Sequence, residues 1–410
     1  MKKGRQVSNW AAILCFLGLV ALSCAAGTDG ASRQKLKVEK HLRRLNKPPV
    51  KTIKSPDGDM IDCVDITKQP AFDHPLLKDH EIQVRPDYHP EGLLAEAREG
   101  ENHVRQLWRV NGRCPENTIP VRRTKKDDVL RASSVKRYGK KNCRSAPIPK
   151  LVDLDLINMG GHEHAIAYVE GDKFYGAKAT INVWESKVEQ PNEFSLSQLW
   201  VLGGSFGEDL NSIEAGWQIS PELYGDNYTR LFTYWTSDAY QATGCYNLLC
   251  SGFIQVSSEI AMGATIAPLS SYGGSQYDIS LLIWKDPSKG NWWLQFGNTL
   301  VIGYWPSFLF SYLGDSASMV EWGGEVVNSE SGGQHTSTQM GSGHFPSEGF
   351  GKASYFRTIQ IVDESNRLRA PKDLGTYTER STCYNIQTGD NEHWGHYFYY
   401  GGPGRNPNCL

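Results

Sequence analysis

From about residue 160 onward, apolar and polar side chains alternate in short runs, the period of a strand with one buried face. The runs are "YGAKATINVWE", "FSLSQLWVLGG", "NSIEAGWQIS", "RLFTYWTSDAY", "SGFIQVSSE", "QYDISLLIWKD", "NWWLQFGN", "TLVIGYWP" and "MVEWGGEVV". Threonine, tyrosine, tryptophan and valine are frequent inside them, and Gly, Pro, Asn and Asp punctuate them. Helical periodicity is nearly absent; "SFLFSYLGDSAS" offers one or two helical turns. Many short strands with regular turn signals predict an antiparallel β-sandwich or barrel. Residues 27–155 have another texture: polar, with scattered proline and basic clusters such as "HLRRLNKPPVK" and "VRRTKKDD". There "EGLLAEAREGENHVRQLWRV" predicts a helix, and the rest reads as loops and short strands. "KKNCRSAPIPK", Lys140 to Lys150, predicts an exposed boundary because charge and proline meet in it. The expected architecture is all-β: an antiparallel β-sandwich over 156–410, preceded by a smaller mixed domain over 27–155.

Alternation also sorts the side chains of each strand by face. In "NSIEAGWQIS", Ile213, Ala215, Trp217 and Ile219 form a core face, and Ser212, Glu214, Gly216 and Gln218 the opposite one. In "MVEWGGEVV", Val320, Trp322, Gly324 and Val326 face the core, and Glu321, Gly323, Glu325 and Val327 face away. Each strand thus offers carboxylates beside a glycine, which is expected to leave room for the floor of a groove. Two close carboxylates share a proton, so one can take a proton from water while the other polarises a carbonyl or protonates a leaving group. The same pair would suit glycoside hydrolysis. Glutamates on the wet face of a sandwich are also ordinary, and the pattern alone does not choose among these readings.

The first 26 residues change the compartment. Lys2, Lys3 and Arg5 precede the apolar "WAAILCFLGLVALSCAA", and small residues follow, so 1–26 reads as a secretory signal cleaved near Ala25 or Ala26. A secreted chain permits disulfides. Cys245 and Cys250 in "CYNLLC" are expected to close a small loop, and Cys383 and Cys409 to tie down the C-terminal segment. Cys63, Cys114 and Cys143 remain, so one is left over, and sequence does not say which. "NYT" makes Asn227 a glycosylation acceptor. The net charge of −2 hides an asymmetry: residues 27–155 carry 27 basic against 19 acidic residues, and 156–410 carry 13 against 26. Two segments of opposite charge are expected to attract each other, and an acidic main domain argues against a nucleic-acid partner. No stretch after the signal is long and apolar enough to cross a bilayer.

These residues carry a resemblance. "KTIKSPDGDMIDCVDITKQPAFDHPLL" in the leading region resembles the neprosin family, as do "NEFSLSQLW", "SIEAGWQ", "YGDNYTRLFTYWTSDAYQATGCYNLLC", "NWWLQFG", "GYWP", "VEWGGEVV", "TQMGSGHFP", "KASYFR" and "HYFYYGGPGRNPNC", all in one order. That family consists of secreted plant proteins with an activation peptide and a neprosin domain. The resemblance implies a β-sandwich glutamic endopeptidase made as a zymogen, cutting after proline at acidic pH, needing no cofactor or metal. It implies two catalytic glutamates, Glu214 in "SIEAGW" and Glu325 in "WGGE", with Glu321 the rival for the second place. A basic propeptide would then cover the acidic domain as an intramolecular inhibitor. Acid would weaken the attraction, and self-cleavage near Lys140 to Lys150, at Pro147 or Pro149, would free a monomeric extracellular enzyme acting on proline-containing peptides or proteins.

Other motifs are weaker. "GGSFG" around Ser205 matches a nucleophile elbow, yet turn and strand, not helix, follow it. His162 and His164 in "GGHEHA" resemble a zinc pair without a third ligand. The aspartic-protease signature is absent. The tryptophans read as strand packing, some of them available to stack on proline rings. The non-enzymatic alternative is a secreted sandwich module that binds cell-wall glycans or peptides through such aromatics.

Overall fold

The computed structural model describes residues 34–93, 104–141, 161–205 and 209–410. The expected signal, Cys143, the two candidate proline cuts and the 155/156 boundary lie outside these residues. The leading region contributes helix α1 over 34–45 and strands β1 (Pro49–Lys54), β2 (Met60–Asp65), β3 (Arg105–Gln106) and β4 (Thr118–Arg122), then the short α2 (Lys126–Arg131). Of the helix expected across 91–110, the described part is instead β3 and a 3₁₀ turn, Leu107–Val110. Next come β5 (His162–Phe174), β6 (Gly176–Asn182), β7 (Ser195–Gly203), β8 (Asn211–Ile219), the one-turn α3 (Pro221–Tyr224) and β9 (Arg230–Thr236). They are followed by β10 (Ile254–Gln255), β11 (Ile266–Ala267), β12 (Asp278–Lys285), β13 (Trp292–Phe296), β14 (Leu300–Trp305) and β15 (Ala317–Val327). The chain finishes with β16 (Ser354–Val362), β17 (Leu368–Arg369), β18 (Gly375–Thr378), β19 (Asn385–Asn391) and β20 (Gly395–Gly401). The helical turns expected in "SFLFSYLGDSAS" reduce to a 3₁₀ turn, Ser307–Leu309, before β15 begins.

The strands form an antiparallel sandwich. One sheet runs β18-β5-β15-β7-β8-β9; the other runs β10-β14-β13-β12-β6-β16-β20-β19, with β17 on β16. Alternate residues meet between them: Ile213, Ala215, Trp217 and Ile219 of β8 and Val320, Trp322 and Val326 of β15 pack with Ala179, Ile181, Leu281 and Trp292. Each tryptophan so buried withdraws about 150–250 Å² from water, which is why aromatic-rich strands favour this double layer. Three disulfides, Cys63–Cys114, Cys245–Cys250 and Cys383–Cys409, staple the chain.

The outer face of the six-stranded sheet is not wet. Val38 and Leu45 of α1, Val129 of α2 and Tyr138 pack onto Leu196, Trp200, Phe232, Tyr234 and Tyr246. The leading region folds over this face around its own sheet β1-β2-β4, and β3 pairs with β11 across the seam.

Candidate active site

Antiparallel register assembles the site. Glu214 of β8 stands opposite Trp200 of β7 and Tyr234 of β9, while Glu325 of β15 stands opposite Leu196 of β7 and His164 of β5. Both glutamates point to the outer face, and both are fully buried. The groove floor between them is Gly216, Gln198 and Gly323, aligned across three strands. The glycines do not leave room for a ligand there. A Cβ on Gly216 would run into the Ser197 carbonyl and the Gln198 backbone, and one on Gly323 into the backbone of Ala165 and Ile166. They permit close strand approach instead.

A lysine from the leading region occupies the gap. The Lys141 ammonium donates to Glu214 Oε2 at 2.5 Å and to Glu325 Oε2 at 3.4 Å. The two carboxylate oxygens therefore lie within about 6 Å of each other, the sum of those bonds. Lys141 also sits 5.5 Å from the Tyr234 ring centre and 5.9 Å from that of Tyr240, inside cation–π range. Its backbone N–H donates to the Tyr234 hydroxyl at 3.2 Å, and the Tyr246 N–H donates to the Gly139 carbonyl at 2.8 Å. The expected exposed boundary thus begins with one residue, Lys141, buried between the two glutamates. The ion pair overrides the usual exposure of a lysine.

The two acids are equipped differently. Glu214 accepts from four donors: Ser212 Oγ at 2.7 Å and Tyr240 OH at 2.8 Å on Oε1, Lys141 and Gln198 Nε2 (3.1 Å) on Oε2. That fills the lone pairs of a carboxylate, which as an anion is acceptor-only. Glu325 has His162 Nδ1 at 2.6 Å on Oε1 and Lys141 on Oε2, with His164 Nε2 3.9 Å away. Burial pushes Glu325 up, but Lys141, then His162 and His164, outweigh it and hold it at about 2. Burial likewise opposes the charge on Lys141, yet Glu214 and Glu325 raise it above its ordinary value. His164 is raised too, against its burial, by Glu379, whose Oε1 lies 2.8 Å from Nδ1.

Glu321 stands apart. It is buried, but its carboxyl oxygens have no hydrogen-bond partner among the described residues. Burial, then Glu214 and Glu325, push it well above a normal carboxylate, which favours its neutral form. His162 and His164, the zinc-like pair of the sequence, are engaged with carboxylates. Among the described residues one further metal-like cluster, His335 with Cys383 and Cys409, has its sulfurs joined in a disulfide. Ser205 lies in the β7–β8 connection, its N–H on Asp209, and Asn227 is exposed. Sequence reasoning missed Lys141, Gln198, Ser212, Tyr240 and Glu379. Only Ser212, two residues from Glu214 on the same face, gave a signal.

Residues 191–403 match the neprosin domain and residues 52–168 the neprosin activation peptide. Among solved structures, scytalido-glutamic peptidase with a peptide-based transition-state analogue overlaps at 11% identity and TM-score 0.32, covering 60% of this chain and 98% of that one. SCP-B, a member of the eqolisin family of peptidases, overlaps at 10% and 0.31 with the same coverage. Superpositions this loose add nothing to the chemistry of the site.

Proposed function

The chain belongs to the neprosin family, and from that premise we propose that it is a glutamic endopeptidase made as a latent precursor, with Glu214 and Glu325 as its catalytic pair. The observation that carries this reading is one ammonium of the leading region buried between those two carboxylates. An ammonium there occupies the place of a water or a polarised carbonyl.

Once Lys141 leaves, one acceptor position on Glu214 is vacant while Ser212, Tyr240 and Gln198 keep the others filled. A water donating into that vacancy is held for deprotonation, so Glu214 is the base. Glu325 loses the strongest cause of its lowered value, takes up the proton the pair must share, and donates it to the scissile carbonyl. Collapse of the resulting tetrahedral adduct breaks the C–N bond, and the amine leaves with a proton returned from the pair. The preference for cutting after proline rests on the family resemblance. It is supported by Tyr234 and Tyr240, whose rings flank the ammonium position and would accept a pyrrolidine face.

Acid is the trigger in this reading. Glu325 is depressed in the closed precursor, so its contribution to closure is complete above the ordinary 4.5 and fades as pH falls toward about 2. Lys141 keeps its charge throughout; the groups facing it are Glu214, Glu325, Tyr234 and Tyr240, with His162 and His164 behind Glu325. Cleavage follows in the stretch after Lys141, and the freed enzyme acts as an extracellular monomer. Its test is stepwise acidification of the purified precursor, followed by mass mapping of a denatured protein substrate. Loss of the leading region near residues 142–150 and product chains ending in proline are expected. A precursor that shortens without acquiring any peptidase activity refutes the reading.

A further inference from the structure

We propose that Arg230 becomes an anion subsite of the mature enzyme, selecting substrates with an acidic side chain about four residues from the cleaved bond. This rests on the peptidase reading above. Arg230 lies on β9, opposite Gln218 of β8, on the same outer face as Glu214 and four positions along the sheet from it. At roughly 3.4 Å per residue that is about 14 Å, four residues of an extended peptide. Its guanidinium is completely buried in the precursor.

The guanidinium is shared by two carboxylates of different origin. Asp226, in the peptidase domain itself, takes Nε at 3.2 Å and Nη2 at 2.7 Å. Asp59, in the leading region, takes Nη1 at 2.5 Å, and the Gly263 carbonyl takes Nη1 at 2.8 Å. The Tyr224 ring lies 4.9 Å from the guanidinium centre. Arg122, also of the leading region, binds the same Asp59 oxygen at 3.1 Å. When the leading region departs, Asp59 and Arg122 leave together, while Arg230, Asp226, Gly263 and Tyr224 stay. One face of a guanidinium fixed by a carboxylate and an aromatic ring then lacks its anion. What Asp59 vacates is an N–H of Nη1; a charge-assisted bond from such an N–H to an anion is strong, and fixing the guanidinium beforehand lowers the cost of binding. Asp59 therefore stands in for an acidic residue of the substrate, as Lys141 stands in for the reacting groups.

The test uses acid-matured enzyme and two sets of proline-containing peptides. One set carries cysteic acid, whose sulfonate stays ionised at low pH, at positions three to five residues from the proline bond on either side; the other carries serine there. We expect wild type to favour the sulfonate at one of these positions by roughly tenfold in kcat/KM, the worth of one charge-assisted hydrogen bond. The ratio should collapse toward one in Arg230→Gln and recover in part in Arg230→Lys. Equal cleavage of both sets by wild type overturns the subsite and leaves the peptidase reading intact. A preference that persists unchanged in Arg230→Gln also overturns it. If neither set is cut, the peptidase reading fails and the subsite with it. The wild-type comparison is decisive even if the glutamine variant does not fold.

Discussion

Replacing Lys141 by methionine should uncouple latency from acid. The ammonium it removes has no exposed surface and lies between Glu214 and Glu325. With that ammonium present Glu325 is held at about 2 against an ordinary 4.5. Lys141 is the largest charge behind that gap, with His162 and His164 after it, so its departure is worth at most roughly 3 kcal/mol favouring the closed over the opened precursor at neutral pH. Because the value is depressed in the closed state, the contribution is complete above 4.5 and lost on acidification. Roughly a quarter has gone at pH ~4 and more than half at pH ~3. Methionine keeps much of the side-chain length but no charge, so Glu325 loses the largest of the charges that lower it and takes up a proton at higher pH.

The Lys141→Met precursor should therefore mature at a pH roughly 1–2 units higher than wild type. The assay incubates matched precursors at stepped pH, then follows the leading region on a gel and a fluorogenic proline peptide in solution. Lys141→Arg, which keeps the charge, should stay near the wild-type midpoint. If Lys141→Met is secreted in normal amounts and matures with the wild-type pH profile, the lysine is not the lock. If it never matures at any pH, the acid-labile pair is not the trigger.

Three further outcomes follow from the same contacts. Glu214→Gln and Glu325→Gln should each lower peptide cleavage at least 10²-fold, the usual worth of a general acid or base, with an unchanged circular dichroism spectrum; residual cleavage near wild type in either would remove that residue from the pair. Glu321→Gln should leave cleavage within about threefold and raise the melting temperature at pH ~7 but not at pH ~4. A buried carboxyl raised above its unfolded value costs stability as pH rises past ~4.5, a cost glutamine lacks; a loss of activity like that of Glu325→Gln would make Glu321 the partner instead. Gly216→Ala should destabilise by roughly 1–3 kcal/mol in thermal melts, since its Cβ meets the neighbouring strand rather than open groove; a neutral result would mean that the groove floor has room there after all.

How much was legible depended on how many faces of each strand are buried against the domain itself. Each of the nine alternating runs contains a strand, because one face of each meets the sandwich core and the period shows through. β5 shows no such period: "HEHAIAYVE" opens with three polar residues, satisfied by distant partners, His162 by Glu325, His164 by Glu379 and Glu163 by His335. β16, β19 and β20 mix half-exposed positions on both faces, so no clean period survives. The glutamates could be sorted by face from alternation alone. Their state could not, because it depends on a lysine more than seventy residues before Glu214 in sequence. A lysine in the run "YGKKNC" looks solvated until its carboxylate partners are known.

The outer face of the six-stranded sheet answers to two requirements at once, and its composition follows from that. In the precursor it must be dry, so Trp200, Phe232, Tyr234 and Tyr246 pack under α1 and α2. In the proposed mature enzyme it must be a wet groove with charges in place, so Ser212, Gln198 and Tyr240 hold Glu214 without help from the leading region. An apolar plug would close such a face well but would leave two desolvated acids unpaired, a cost of several kcal/mol. A lysine plug removes that cost only while the acids are ionised. On the proposed reading, burying a cation there makes closure conditional: the ammonium would hold the segment in register above the carboxylate range and lose its hold below it. Asp59 on Arg230 extends the same logic with the signs reversed. The leading region presents an anion where the domain keeps a cation and a cation where it keeps anions, so the covered face reads as a template of what the opened groove will accept.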